Sequence, residues 1–176
     1  MGHDPLDTNF EQPARWVSGI RAFGYAFASF LVFGLAAGQI GIVAELFQKY
    51  GNEPANYPSH MIKYTLGLIL FNALLSLLLV IGSYWAPSFF FVFVVFANMV
   101  MWITSAGVLN RAEPYRAGNC GSTFSPPFDR FVGDCKLYAA SEALSWTLWA
   151  LTFVLMITLI LDFFVLKNKK KTVYGA

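Results

Sequence analysis

The stretch YTLGLILFNALLSLLLVIGSYWAPSFFFVFVVFANMVMWITSAGVLN, residues 64–110, contains no Asp, Glu, Lys or Arg. A helix that crosses a lipid bilayer needs about 20 apolar residues, so this stretch is long enough for two crossings. Residues 83–88, SYWAPS, lie near its middle and are typical of a turn. The stretch therefore predicts two membrane-spanning helices joined by a short turn.

Two further apolar stretches flank this hairpin, one between Arg21 and Glu45 and one between Glu142 and Asp162. The whole chain is 57% hydrophobic and 12% charged, against about 25% charged residues in soluble domains. We expect an all-α integral membrane four-helix bundle with spans at about 17–46, 62–85, 87–110 and 137–166. These spans form one transmembrane domain, 17–166, between an N-terminal tail, 1–16, and a basic C-terminal tail, 167–176. The polar leader and the long first span are not typical of a cleavable signal peptide.

The strongest basic cluster follows the last span and consists of Lys167, Lys169, Lys170 and Lys171. Basic residues next to a span favour the cytoplasmic side, so we expect both termini in the cytoplasm. The same lysines are candidates for contact with anionic phospholipids. Fairly long spans and a C-terminus without a retrieval signal favour the plasma membrane, reached by the secretory pathway.

The two cysteines, Cys120 and Cys135, both lie between the third and fourth spans. An isolated pair in one extramembrane loop predicts a disulfide formed in an oxidising compartment. It would close a loop of about 15 residues and contribute about 3 kcal/mol in the chain-entropy model. The alternative is two unpaired thiols, whereas thiol-redox catalysis lacks a C-x-x-C motif or a nearby histidine.

The same loop also carries three phenylalanines, Phe124, Phe128 and Phe131, beside Pro126 and Pro127. This segment is more apolar than a solvated linker requires. Two interpretations remain open: the rings lie against the bilayer surface or a neighbouring protein, or they pack under the disulfide.

Small residues recur at four-residue spacing along the first span, as Gly24 with Ala28, Gly34 with Gly38, and Ala37 with Gly41. Helices associate in lipid where small residues let their backbones approach closely. We expect this strip to pack inside the bundle. The alternative is a face for self-association or for a partner.

Few polar residues lie within the spans, and we expect Gln39, Asn72, Asn98 and Ser105 to turn inward and find partners. A transporter would normally carry an ionisable group near the midplane, and the sequence places none there. Glu142 is the ionisable residue of most interest, either as an anchor at the start of the last span or as a functional group.

No motif for bond chemistry is present: the sequence contains no phosphate-binding glycine loop, no metal-spaced histidine cluster and no Ser/His/Asp arrangement. We therefore predict a protein that is not an enzyme and that uses no cofactor and no metal. Nucleic-acid binding is also not expected, because the net charge is only +2 and the basic residues are divided between two faces.

The chain resembles fungal MARVEL-domain proteins over nearly its whole length. The resemblance depends on four spans, on a short first and longer second connecting loop, and above all on the residues around the start of the last span: Gly133-Asp134-Cys135-Lys136, Ala139-Ala140, Ala143, Ser145-Trp146 and Leu148-Trp149. Claudins and tetraspanins share the span count, but their cysteine and tryptophan patterns are missing here.

This resemblance implies a non-enzymatic tetraspan that organises membrane, through sterol- or sphingolipid-rich domains, vesicle traffic or plasma-membrane invaginations. Expected partners are membrane lipids, and either further copies of the chain or a larger membrane protein. The alternative function is an accessory subunit of a pump, synthase or transporter. A small channel or carrier is a third hypothesis.

Overall fold

The computed structural model describes residues 20–82, 88–115 and 118–173, with backbone alone at 20–22, 88–90, 162–163 and 165–173. Helices are the regular structure of these ranges, which contain no strand and are joined by turns and irregular loops. The long helices are α1 (Ile20–Tyr50), α2 (His60–Gly82), α3 (Ser88–Ala112) and α4 (Cys135–Val173), and two short 3₁₀ helices cover Pro54–Asn56 and Phe128–Asp134. All four long helices are sufficiently long and apolar to cross a membrane, which confirms the all-α prediction.

Each long helix packs against the next one in the chain, and α1 also packs against α4, so the four helices close into a ring. The α1–α2 and α3–α4 connections meet at one end of this bundle, where Tyr50 contacts Phe131 with 5.2 Å between ring centroids. We call this the loop end, and the opposite end the terminal end.

The outer surface of the bundle is apolar, as the surface of a lipid-embedded protein must be. Phe23, Phe30 and Leu78 are 74%, 71% and 65% exposed, and large exposed apolar side chains occur on every long helix. Monomeric soluble proteins rarely expose contiguous apolar patches of more than a few hundred Å². The interior is filled by Trp102, Ile69 and other fully buried side chains.

The loop-end limits of α1 and α2 have local causes. Gly51 ends α1 in a left-handed conformation, φ 71°, and its N–H donates to the Phe47 carbonyl at 2.9 Å; glycine adopts this conformation without a steric penalty. Ser59 precedes α2, and its Oγ accepts a hydrogen bond from Met61 N at 3.2 Å. Both helix ends thereby satisfy backbone groups that would otherwise lack partners.

The structure differs from the expected boundary between the last span and the C-terminal tail. Helix α4 runs to Val173 and so includes most of the segment expected as a separate tail from residue 167; lysine is a good helix former, so the helix continues past the apolar span. The expected tail 1–16 and residues 83–87 of the expected turn lie outside the described residues.

Candidate functional site

The predicted disulfide is present at the loop end. The Sγ atoms of Cys120 and Cys135 are 2.01 Å apart, and the Cα atoms 5.6 Å. Cys135 is fully buried and is the first residue of α4. The bridge therefore ties the long α3–α4 loop to the start of α4.

The loop phenylalanines pack inward, which confirms the second of the two interpretations. The Tyr115 ring lies between its neighbours, with ring centroids 5.2 Å from Phe124, 5.9 Å from Phe128 and 5.5 Å from Tyr138. Phe131 is only 7% exposed. Phe124 and Phe128 are half-buried and, like Cys120, pack against the core that includes Phe131 and Cys135.

An ion pair joins α1 to the end of the 3₁₀ helix Phe128–Asp134. Lys49 Nζ donates to both carboxylate oxygens of Asp134, each at 2.7 Å, and the Tyr50 hydroxyl also donates to Asp134. The Lys49 side chain is 53% exposed and that of Asp134 only 9%. Asp134 immediately precedes Cys135. The ion pair therefore ties the start of α4 to α1, and the disulfide ties it to the α3–α4 loop.

Two loop tyrosines have altered acidity. Burial raises the pKa of Tyr115, and the nearby carboxylates of Glu113, Asp129 and Asp134 raise it further. Burial also raises the pKa of Tyr57. The hydroxyl of Tyr115 donates to the Phe128 carbonyl at 2.7 Å, a hydrogen bond that requires the neutral phenol.

Gln39 joins α1 to α4 inside the bundle. Its Nε2 donates to Ser141 Oγ at 2.8 Å, to the Ser141 carbonyl at 3.1 Å and to Ser145 Oγ at 3.2 Å. All three residues are fully buried. Nothing in this cluster titrates, so it acts as a polar contact between helices and offers no proton-transfer group.

A second polar cluster joins α2 to α3. Ser76 Oγ accepts from Asn98 Nδ2 at 3.1 Å and from Trp102 Nε1 at 3.2 Å. The side-chain amide of Asn72 completes the cluster. Its Nδ2 donates to Asn98 Oδ1 at 2.5 Å, and its Oδ1 accepts from Trp102 Nε1 at 3.3 Å. The expected inward orientation of Gln39, Asn72 and Asn98 is thus confirmed, as is that of Ser105, which is fully buried.

The expectation of only a few buried polar groups is wrong. Among the described residues twelve polar or charged side chains are buried, including Ser76, Ser141, Ser145 and Thr152. The missed signal is the four-residue spacing of Asn72 with Ser76 and of Ser141 with Ser145, which places each pair on one helix face.

Glu142 lies on the inner side of α4 and is 7% exposed. Its Oε1 accepts a hydrogen bond from Asn110 Nδ2 at 2.6 Å, which connects α4 to the last turns of α3. The structure thus gives this carboxylate a bridging contact between two helices.

A cavity of about 40 Å³ is lined by residues of all four long helices in the terminal-end half of the bundle. Its surface is almost wholly apolar, although Ser29, Ser76, Asn98 and Thr152 are among the lining residues beside apolar ones such as Val32 and Leu155. None of the residues that line this cavity is titratable. Elsewhere within the described ranges no three His, Cys, Asp or Glu side chains come together as a metal site.

The expectation that the small-residue strip packs inside the bundle is wrong. Gly24, Gly34, Ala37, Gly38 and Gly41 are exposed and Ala28 is half-exposed. A Cβ added to any of the four glycines would meet no atom within 4 Å. The inward positions of α1 are taken instead by larger residues, Val32, Gln39, Val43 and Leu46, with Ala36. The strip therefore faces away from the other three helices.

The four candidate lipid-binding lysines, Lys167, Lys169, Lys170 and Lys171, lie on the last turns of α4, and their side chains are outside those described. Comparison with protein-family models, with curated proteins and with solved structures found no match to this chain.

Proposed function

We propose that this protein is a non-enzymatic, multi-pass organiser of the plasma membrane that acts through lipid and helix–helix contacts on its outer surface, in membrane-domain formation or trafficking. The observation that carries this proposal is the outward small-residue strip of α1, and above all its part formed by Gly34, Ala37, Gly38 and Gly41. The resemblance to fungal MARVEL-domain proteins, noted above, supports the same function.

The physical argument starts from how helices associate in lipid. Apolar side chains gain nothing by leaving lipid for protein, so association depends on close backbone approach and on interhelical hydrogen bonds. Inside the bundle hydrogen-bonded polar clusters supply this contact, as at Gln39 and at Asn98. On the outside the α1 strip leaves its backbone open to another helix. The outer face of α1 is thus the surface on which a further helix could still pack.

Self-association through this strip can be tested with two matched variants. Gly38→Leu adds a side chain at the centre of the strip, whereas Gly67→Leu adds the same side chain to an outward glycine of α2 that also has open space around it. We expect the first variant to run as a smaller particle than wild type after gentle-detergent purification and mass measurement, and the second to match wild type. Equal masses for all three proteins would refute the role of the strip.

The same purification separates the proposed function from the alternative one. A lipid-rich assembly of identical chains supports the organiser. A polytopic partner that is present at constant stoichiometry supports an accessory subunit of a pump, synthase or transporter. A channel or carrier would instead produce solute flux after reconstitution into liposomes, and tight liposomes would remove that hypothesis.

We further propose that both termini lie in the cytoplasm, supported by the lysines that follow the apolar part of α4 and by the disulfide at the loop end. Ala55 is exposed in the α1–α2 loop, and Thr172 is near the C-terminal end of α4. A thiol introduced by Ala55→Cys should react with a membrane-impermeant reagent on intact cells, and one introduced by Thr172→Cys should not. The reverse labelling would overturn this orientation.

A further inference from the structure

We propose that the exposed segment 122–127 of the α3–α4 loop is an O-glycosylation site, whose acceptors are the hydroxyl groups of Ser122, Thr123 and Ser125. The co-substrate is a hexose activated at C1 by a phosphate group, and a transferase of the secretory pathway attaches it. This inference rests on the orientation proposed above, which turns the loop end away from the cytoplasm. It does not depend on the organising function.

The first observation concerns the serines and threonines that are exposed on the described part of the chain. Some lie in the spans, where each hydroxyl donates to a backbone carbonyl of its own helix at 2.8 or 2.9 Å. This group consists of Thr104, Thr147 and Thr158. The others are the loop acceptors, which lie within four consecutive residues and whose hydroxyls make no hydrogen bond to any described residue. Within these ranges, exposed hydroxyls that are available for reaction are thus confined to one segment.

The second observation is the backbone of this segment. Residues 123–125 belong to no helix or turn. The ring of Phe124 packs on Tyr115 with 5.2 Å between ring centroids, whereas Thr123 and Ser125 on either side of it are exposed. The inward ring anchors the loop and leaves its hydroxyls on the surface. A transferase can therefore reach the acceptors without unfolding a helix.

The third observation is the space and chemistry around the acceptors. Gly121 precedes them, and a Cβ added there would meet no atom within 4 Å. Pro126 and Pro127 follow them and are exposed, and the segment 118–127 contains no charged residue. Serine and threonine beside proline are the composition of O-glycosylated segments, and a glycan is bulky and needs a surface position. This segment meets both requirements.

The disulfide of the same loop favours a sugar over a phosphate group on these hydroxyls. Cys120 lies two residues before Ser122 and is bonded to Cys135, which is typical of an oxidising compartment such as the lumen of the secretory pathway. A kinase that selects serine before proline could modify Ser125, but it draws its ATP from the cytosol, where thiols stay reduced. Glycosyl transfer takes place on the side of the membrane where the disulfide forms.

The reaction is a substitution at the anomeric carbon of the sugar. For Thr123, Oγ1 attacks C1 of the activated hexose, and a bond forms between these two atoms. The bond between C1 and the phosphate oxygen breaks, and the phosphate leaves with the electron pair. The hydroxyl proton passes to a base of the transferase. No atom is oxidised or reduced, so the sugar phosphate is the one co-reactant required.

The test compares two variants of the full chain, each purified from the membranes of its native host. The loop variant carries Ser122→Ala, Thr123→Ala and Ser125→Ala. The control variant removes the exposed hydroxyls of the spans and carries Thr104→Ala, Thr147→Ala and Thr158→Ala. Mass spectrometry measures the intact mass, and peptide mapping with fragmentation that preserves O-linked groups locates each modification. Thermal unfolding in detergent checks that each protein is folded.

We expect wild type and the control variant to carry sugar on segment 122–125, and the loop variant to lose that mass completely. Thr123→Ser, which keeps a hydroxyl, should remain modified. Unmodified hydroxyls in wild type would overturn the proposal, as would a phosphate group in place of sugar or the same sugar mass on the loop variant. If the loop variant does not fold, peptide mapping of wild type alone decides.

Failure of this site can be distinguished from failure of the orientation. If the thiol of Ala55→Cys is labelled on intact cells and segment 122–125 carries no sugar, the orientation holds and only the glycosylation site is refuted. If the thiol of Thr172→Cys is labelled instead, the orientation and the site are refuted together. Self-association is measured separately with the Gly38→Leu variant, so either result leaves the organising function to its own test.

Discussion

Two neighbouring residues of α1 provide a direct test of which face of this helix is turned outward. Ala36 is fully buried, whereas Gly38 is exposed and has open space around it. Ala36→Leu forces three extra carbons into a filled interior, which costs about 1–3 kcal/mol. Gly38→Leu meets no atom and replaces a poor helix former, so we expect a gain of about 0.5–1 kcal/mol.

The assay is thermal unfolding of the monomeric protein in detergent, followed by circular dichroism. For a chain of this length 1 kcal/mol corresponds to about 2–4 °C in Tm, so Ala36→Leu should lower the Tm by about 2–12 °C. Gly38→Leu should leave it unchanged or raise it slightly. If Gly38→Leu lowers the Tm as much as Ala36→Leu does, α1 is rotated from the orientation described, and the outward strip loses its basis.

Three further predictions concern the loop end and the interior. Replacing the disulfide by Cys120→Ser with Cys135→Ala should destabilise the protein by about 3 kcal/mol, and reductant should lower the Tm of wild type but not that of the variant. The pKa of Tyr115 is raised in the folded chain, so above about pH 10 its phenol ionises first in the unfolded chain. The free energy of unfolding should therefore fall by up to about 1.4 kcal/mol per pH unit above that pH. Tyr115→Phe should reduce this slope in alkaline unfolding experiments. Asn98→Leu should cost about 1–2 kcal/mol in a denaturation series, because it leaves buried partners unsatisfied, whereas Thr104→Val on the outer face should cost almost nothing.

Span count and the positions of the loops could be predicted because they depend on length and charge alone. An uncharged stretch such as residues 64–110 has few alternatives to crossing lipid twice. The disulfide was also predictable, since Cys120 and Cys135 are the only cysteines and share a loop.

The inward and outward faces could not be predicted, because these helices are apolar on all sides and hydrophobic periodicity does not distinguish lipid from protein. For α1 the small residues suggested an inward strip, and the structure has the opposite. The decisive residue is Gln39, whose buried hydrogen bonds to Ser141 and Ser145 orient the helix and turn Gly38 to the outside. Burial of the carboxylates of Glu113, Asp134 and Glu142 was hidden for a related reason, since it is not visible in a count of charges.

The covalent and ionic contacts of the bundle are concentrated at its loop end. At the loop end the disulfide and the Lys49–Asp134 ion pair meet at two adjacent residues, Cys135 and Asp134. The cavity lies towards the terminal end. The Lys49–Asp134 ion pair connects α1 to the residue that precedes α4, and the disulfide fixes the loop at that point. We therefore expect the loop end to resist separation of α1 from α4 more strongly than the terminal end does, so that the two halves of the bundle meet the two leaflets with unequal stiffness.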